Sequence, residues 1–178
     1  MAKPIKAHYL LVDGYNVIHA NPELSSLMND SLDGARIKLC DILCEFMALS
    51  RYRIIVVFDA HLVPGGTGSA TDYNNIKIVY TKEAETADRY IEQATYKLSR
   101  ENKRDRITVA TSDTLEQLII IGQGALRISS QNLWAEIERT KAKMRKRHIE
   151  INPIKKNPLI GLLDPETARK LENMRYGK

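Results

Sequence analysis

Short β-branched apolar runs alternate along this chain with longer segments in which apolar residues recur every three or four positions. Such alternation predicts an α/β fold, a parallel sheet covered by helices, because period two suits a strand and period 3.6 suits a helix with one buried stripe. Four runs read as strands: residues 8–12 (HYLLV), 53–58 (RIIVVF), 76–80 (IKIVY) and 106–110 (RITVA). Their apolar character is nearly continuous, which predicts burial on both faces.

Residues 32–49 carry Ala35, Leu39, Ile42, Leu43 and Phe46 at helical spacing, and residues 85–100 carry Ala87, Ile91, Ala94 and Leu98 in the same way, so both are read as crossover helices. A short helix is expected over 115–121, stopped by Gly122, and a longer one over 131–148 with Leu133, Ile137 and Met144 facing inward. Asp164-Pro165-Glu166 has the form of an N-cap, a first-turn proline and a first-turn acid, and predicts a last helix to about residue 175. Residues 64–69 (PGGTGS) read as a flexible loop after the second strand, and the link over 152–161 as extended chain.

At 178 residues and 43% hydrophobic, the chain can bury one core without disulfides or structural metal. The expected organisation is one domain over 1–150 and an extension over 151–178 with a short helix. The opening MAKPIKAHYLLVDGYN lacks the apolar core of a secretion signal, and no apolar run approaches a membrane span, so a soluble cytoplasmic protein is expected. Cys40 and Cys44 lie four apart on the apolar side of a helix, where they read as small buried hydrophobes.

Charge sharpens the picture through its distribution. Between Arg139 and Lys156 eight basic residues face one acid, Glu150; that segment is +7, and with a total of +5 the rest of the chain is −2. A near-neutral body with one concentrated basic stretch suggests a polyanionic partner, although a solvated helix face is the plainer reading. Lys143, Arg145 and Lys146 lie at the centre of that stretch.

Three strands run directly into an aspartate: LLVD at Asp13, VVFD at Asp59 and TVATSD at Asp113. In a parallel sheet these endings share the carboxyl edge, where ligands bind in open α/β folds. A lone aspartate after a strand is usually a turn former or N-cap. Three on one edge repel unless a cation or proton holds them together. The crossover helix before the fourth strand adds Glu85 and Asp88, with Glu92 on the same face, and its first turn starts at that edge. First-turn acids also favour the helix dipole, which suits Glu85 better than Asp88.

An all-oxygen donor set suits Mg²⁺ or Mn²⁺ and points to phosphodiester hydrolysis. Asn16, three residues after Asp13, could orient a bound water or donate to a phosphate, or could simply form the turn at Gly14. Tyr15 could stack on a base or pack in the core; Ser112 could bind phosphate or cap a helix, the commoner role. Of the four histidines, His19 and His61 follow strand ends and could line the site, while none is assigned a catalytic role. Lys82, Arg89 and Arg127 offer a second cationic path for RNA.

Assembled in this order, LLVDGYNVI, VVFDAH, VYTKEAETADRYIE, VATSD and GQGALRIS make the chain resemble the YacP-type branch of the NYN-domain endoribonucleases, relatives of PIN domains. The similarity covers residues 9–148 and implies a PIN-like three-layer fold with a central parallel sheet of about four strands. It also implies endonuclease action on single-stranded RNA, with Asp13, Asp88 and Asp113 as metal-binding acids, Asn16 beside them, and Glu85 and Asp59 as neighbouring acids. For this branch it implies mRNA engaged by ribosomes as the target. Gly122 and Gly124 would let the backbone approach RNA while Arg127 meets a phosphate.

Two rivals lose ground on particular residues. A receiver-type signalling domain wants paired acids at the end of the first strand, where Asp13 stands alone before Gly14; an aspartyl phosphotransferase wants an acid where Tyr15 sits. Neither glycine-rich loop continues into a P-loop or dinucleotide fingerprint, so no nucleotide cofactor is expected. The remaining alternative is a catalytically silent RNA- or ribosome-binding module with the same fold.

Overall fold

In the computed structural model, which describes residues 7–59, 67–101, 105–112, 122 and 124–151, the elements follow the chain as β1 (His8–Asp13), α1 (Gly14–His19), α2 (Pro22–Asp30), α3 (Leu32–Leu49), β2 (Tyr52–Phe58), β3 (Thr67–Tyr73), β4 (Ile76–Lys82), α4 (Ala87–Glu101), β5 (Arg106–Ala110), β6 (Leu126–Ile128) and α5 (Ser130–Ile151). The sheet has six strands in the order β3-β4-β2-β1-β5-β6. Every pairing is parallel except that of β3 with β4.

The four strands expected from the sequence are the inner four. The two edge strands are additions, and each has a physical reason for escaping notice. β3 reads TGSATDY, small and polar, and takes in part of the segment expected to be a glycine-rich loop. Its hairpin to β4 is a two-residue turn in which Asn74 and Asn75 both have positive φ, 45° and 76°, as a type I′ turn requires. β6 is only three residues long.

Strand residues alternate between two apolar layers. Leu10, Val12, Ile54, Val56, Phe58, Ile76 and Ile78 pack with Leu39, Leu43 and Phe46 of α3 and Leu133 and Ile137 of α5. Leu11, Val57, Val79, Ile107 and Val109 pack on the other face with Ala87 and Ile91 of α4. Each such large side chain buried contributes roughly 1.5–3 kcal/mol. Two-sided burial is why the inner strands show no polar alternation.

Helix starts follow local chemistry. Asn21 caps α2, its Oδ1 accepting from the backbone N–H groups of Glu23 and Leu24, with Pro22 and Glu23 in the first turn. Ser31 caps α3 through Gly34 N–H at 3.0 Å. α4 begins at Ala87, two residues later than expected, because Thr86 caps it through Arg89 N–H. α5 runs one residue earlier and three later than expected, and Met144 is exposed (40%) rather than inward, as are all residues over 142–147.

By backbone compactness the chain divides into Met1–Lys141 and Ala142–Lys178. The helices expected over 115–121 and after Asp164, and the link over 152–161, lie outside the described residues. No helix among the described residues is long and apolar enough to cross a membrane.

Candidate active site

β1 lies between β2 and β5, so its end sits mid-edge among parallel neighbours, with Asp13 beside Val57 of β2. Asp13 has two roles there. Its Oδ1 accepts from Asn16 N–H at 3.1 Å and caps α1, the plain role of an aspartate after a strand. The same carboxylate is 8% exposed, and its pKa is pushed up to about 6 from 3.8, first by burial and then by the negative charges of Asp88 and Asp59, against the Asn16 and Tyr15 N–H groups that lower it. Three acids expected at one edge, one from a helix and two from strand ends, therefore share a field.

Gly14 has a steric reason. A Cβ there would lie 2.3 Å from Cε1 of Phe58, so only glycine lets the end of β2 close against the start of α1. Asn16 ties three elements together: its Oδ1 accepts from Ser112 N–H (3.2 Å) after β5 and from the Ser130 hydroxyl (2.8 Å) at the start of α5. Its amide N–H₂ group remains the donor side. Ser112 Oγ accepts from Ser130 N–H at 3.3 Å, at the start of α5, while the helix that Ser112 was expected to cap lies outside the described residues. Trp134 adds an indole bond to the Val17 carbonyl at 2.9 Å.

Tyr15 belongs to the core. Its ring is 7% exposed and edge-on to Phe58 at 5.3 Å, which leaves no open face for a base, so the base-stacking role is withdrawn in favour of packing. Its hydroxyl accepts from Nε (2.9 Å) and Nη2 of Arg36, a buried arginine whose guanidinium also lies over the Phe58 and Tyr80 rings and meets Asp33 at 2.7 Å. Arg36 was not foreseen, since it occupies a buried position inside an apolar helical stripe. Ser130 was also missed, although a serine pair before an apolar helix was a readable cap signal.

Glu85 lies in the turn before α4, not on the helical face with Asp88; its N–H donates to the Lys82 carbonyl, and the Tyr90 pKa is raised first by burial and then by the Glu85 charge. Asp113 and His61 fall outside the described residues, and among the described residues no group of three histidines, cysteines or acids is close enough to hold a metal ion. Lys82, Arg89, Arg127, Lys143, Arg145 and Lys146 are all exposed. Gly124 takes a positive φ of 80°, and a Cβ at Gly122 or Gly124 would meet open space, so conformation accounts for Gly124 without a close backbone approach. His8 is engaged inside the fold, its Nε2 3.0 Å from Thr108 Oγ1, and His19 is exposed. Cys40 is buried and unpaired, its thiol pushed up to about 12 by burial.

The YacP-like NYN domain model matches residues 10–176. The chain belongs to this family. Uncharacterized protein YacP of Bacillus subtilis (strain 168) is 40% identical over 168 residues, covering 94% of this chain and 96% of the relative. Two crystal structures of Rae1 (YacP) from Bacillus subtilis match the fold. One, a point mutant, has a TM-score of 0.71 at 34% identity, covering 94% of this chain and 99% of that one. The other has a TM-score of 0.66 at 40% identity, covering 95% of each. The family match runs through the boundary expected at residue 150. An NYN domain points to a nuclease-like, RNA-related function.

Proposed function

We propose that this chain is a cytoplasmic, metal-dependent endoribonuclease that hydrolyses phosphodiester bonds of single-stranded RNA, with ribosome-engaged mRNA as its target. The observation that carries the reading is Asp13, a buried carboxylate whose pKa two neighbouring acids help raise to about 6. Perturbation of this kind, by burial plus specific charges at a sheet edge, marks functional sites more often than structural ones. The donor set fits a hard divalent cation: Asp13, Asp88 and Asp113 would hold Mg²⁺ or Mn²⁺, with Asp59 and Glu85 nearby. Such an ion, when bound, supplies an activated water and stabilises the leaving oxygen.

The remaining work falls to this chain's own residues. Asp13 is mostly ionised at neutral pH and mostly protonated below about 6, so this carboxylate gains its negative charge over that interval. The bond from Asn16 N–H fixes the Asp13 carboxylate, and the clasp from Asn16 to Ser112 and Ser130 holds the ends of β1 and β5 in register. Exposed Lys82, Arg89 and Arg127 would meet phosphates, and Lys143, Arg145 and Lys146 would supply affinity for RNA or the ribosome.

A silent RNA- or ribosome-binding module with the same fold is the second reading. Incubating the purified chain with end-labelled single-stranded RNA and Mg²⁺ or Mn²⁺, with and without chelator, separates the two. Internal cleavage that chelator stops is the expected result; binding without cleavage under every metal condition establishes the silent module.

A further inference from the structure

α4 buries Ala87, Ile91 and Thr95 and turns its opposite face outward. On that outer face Arg89, Gln93, Tyr96 and Arg100 follow one another at steps of four, three and four, and all are exposed. Tyr96 is one of few large exposed apolar side chains among the described residues, 51% accessible, and Arg100 lies over its ring at 5.3 Å while donating to its hydroxyl. The helix as a whole is balanced, Arg89, Lys97 and Arg100 against Asp88, Glu92 and Glu101, but along the row itself the charged residues are both arginines, and Lys97 meets Glu101 at 3.9 Å with both ends in water. The row starts one residue after Asp88, whose charge reaches Asp13. From Arg89 to Arg100 it extends about 16 Å at the helical rise, room for a few nucleotides.

We infer that this face of α4 is a landing strip for single-stranded RNA leading to the acidic edge, with Tyr96 as a base-stacking platform. The inference rests on the reading of the chain as an RNA-cleaving enzyme and assigns the strand's path on it. Interleaved aromatic and basic side chains are what a single strand needs: the ring takes a base of any identity, and the guanidinium groups take phosphates. Arg100 lies over the Tyr96 ring and bonds its hydroxyl, which holds the ring in place, and about half of the side chain remains accessible (51%). The plainer role, a tyrosine-arginine pair one turn apart that slightly stabilises the helix, uses the ring only as a partner for Arg100.

The test is fluorescence anisotropy of a labelled single-stranded RNA in chelator, where binding is read without cleavage, on the full chain and its variants. Tyr96→Ala should weaken binding roughly tenfold, Tyr96→Phe should stay within about twofold because the ring is kept, and Arg100→Gln should flatten the salt dependence by about 0.7. Circular dichroism and thermal unfolding confirm that each variant is folded. Wild-type binding by a folded Tyr96→Ala overturns the inference, as does an equal loss in Ala and Phe variants, which would trace the effect to the hydroxyl pair. A Tyr96→Ala defect confined to ribosomes or a protein partner, with naked RNA bound normally, also overturns it. An inactive wild type that loses RNA affinity through Tyr96→Ala removes the nuclease reading and keeps the strip. An active wild type whose Tyr96→Ala variant binds RNA normally does the reverse.

Discussion

The carboxyl edge around Asp13 and the exposed run from Lys143 to Arg147 carry opposite charge in opposite surroundings. Asp13 is buried, its proton affinity raised by burial, Asp88 and Asp59. Over 142–147 every side chain is exposed. Burial makes one charge costly and sensitive to each neighbour, so a single atom there can change chemistry. Exposed charges are screened and act through their number. On the proposed function, reactivity would belong to the edge and affinity to the basic stretch.

The largest expected effect is at the edge. Asp13→Asn or Asp88→Asn should cut RNA cleavage on the order of a thousandfold at unchanged fold, since on the proposed reading each would remove a carboxylate that holds the cation. Asparagine can still cap α1 at position 13, which separates the charge from the cap. Full activity in either variant would erase the contrast between the two regions.

Next is stability without metal. Because the folded pKa of Asp13 is about 6 against 3.8, the folded chain holds this proton more tightly than the unfolded one. Stability is therefore favoured below the unfolded value and lost as pH rises from about 4 to about 6, a penalty of roughly 3 kcal/mol fully present above that window. Asp13→Asn should raise the melting temperature at pH 8 and change it little at pH 4. Melting curves across this range that run parallel for the two proteins would show Asp13 to be an ordinary surface acid.

Asp59→Asn should cost less than either change above, about 10- to 100-fold, as expected of an acid that tunes its neighbours. Cleavage rates ranked across the three single variants check this, and Asp59 emerging as the most damaging position would reorder the site.

Much of this edge was legible in the sequence because parallel topology alone brings strand ends together. LLVD and VVFD placed Asp13 and Asp59, and the first turn of a crossover helix placed Asp88. Two cap signals show where reading stopped short. Asn21-Pro22-Glu23 has the same form as Asp164-Pro165-Glu166, yet only the second was read as a helix start. The short helix α1 was hidden by Gly14, whose presence answers to the Phe58 ring rather than to a turn. Arg36 and the Asn16 clasp depend on partners 21, 96 and 114 residues away, which no local pattern reveals. Tyr15 could be placed only once the core around Phe58 was known.

The smallest effect on chemistry belongs to the basic stretch. Replacing Lys143, Arg145 and Lys146 together with neutral residues should weaken binding to all RNAs and flatten its salt dependence by roughly 0.7 per lost contact, with cleavage at saturating RNA nearly unchanged. A salt titration of binding beside a single-turnover rate distinguishes the two. A loss of the rate itself would place this stretch at the reaction.

The most direct measurement is the rise in melting temperature on adding Mg²⁺ to wild type and to Asp13→Asn at pH 5 and pH 7.5. A cation held by Asp13 competes with the proton whose pKa is about 6, so wild type should gain more from Mg²⁺ at pH 7.5 than at pH 5, and Asp13→Asn should gain little at either. Equal gains in both proteins at both pH values would contradict a metal site at Asp13.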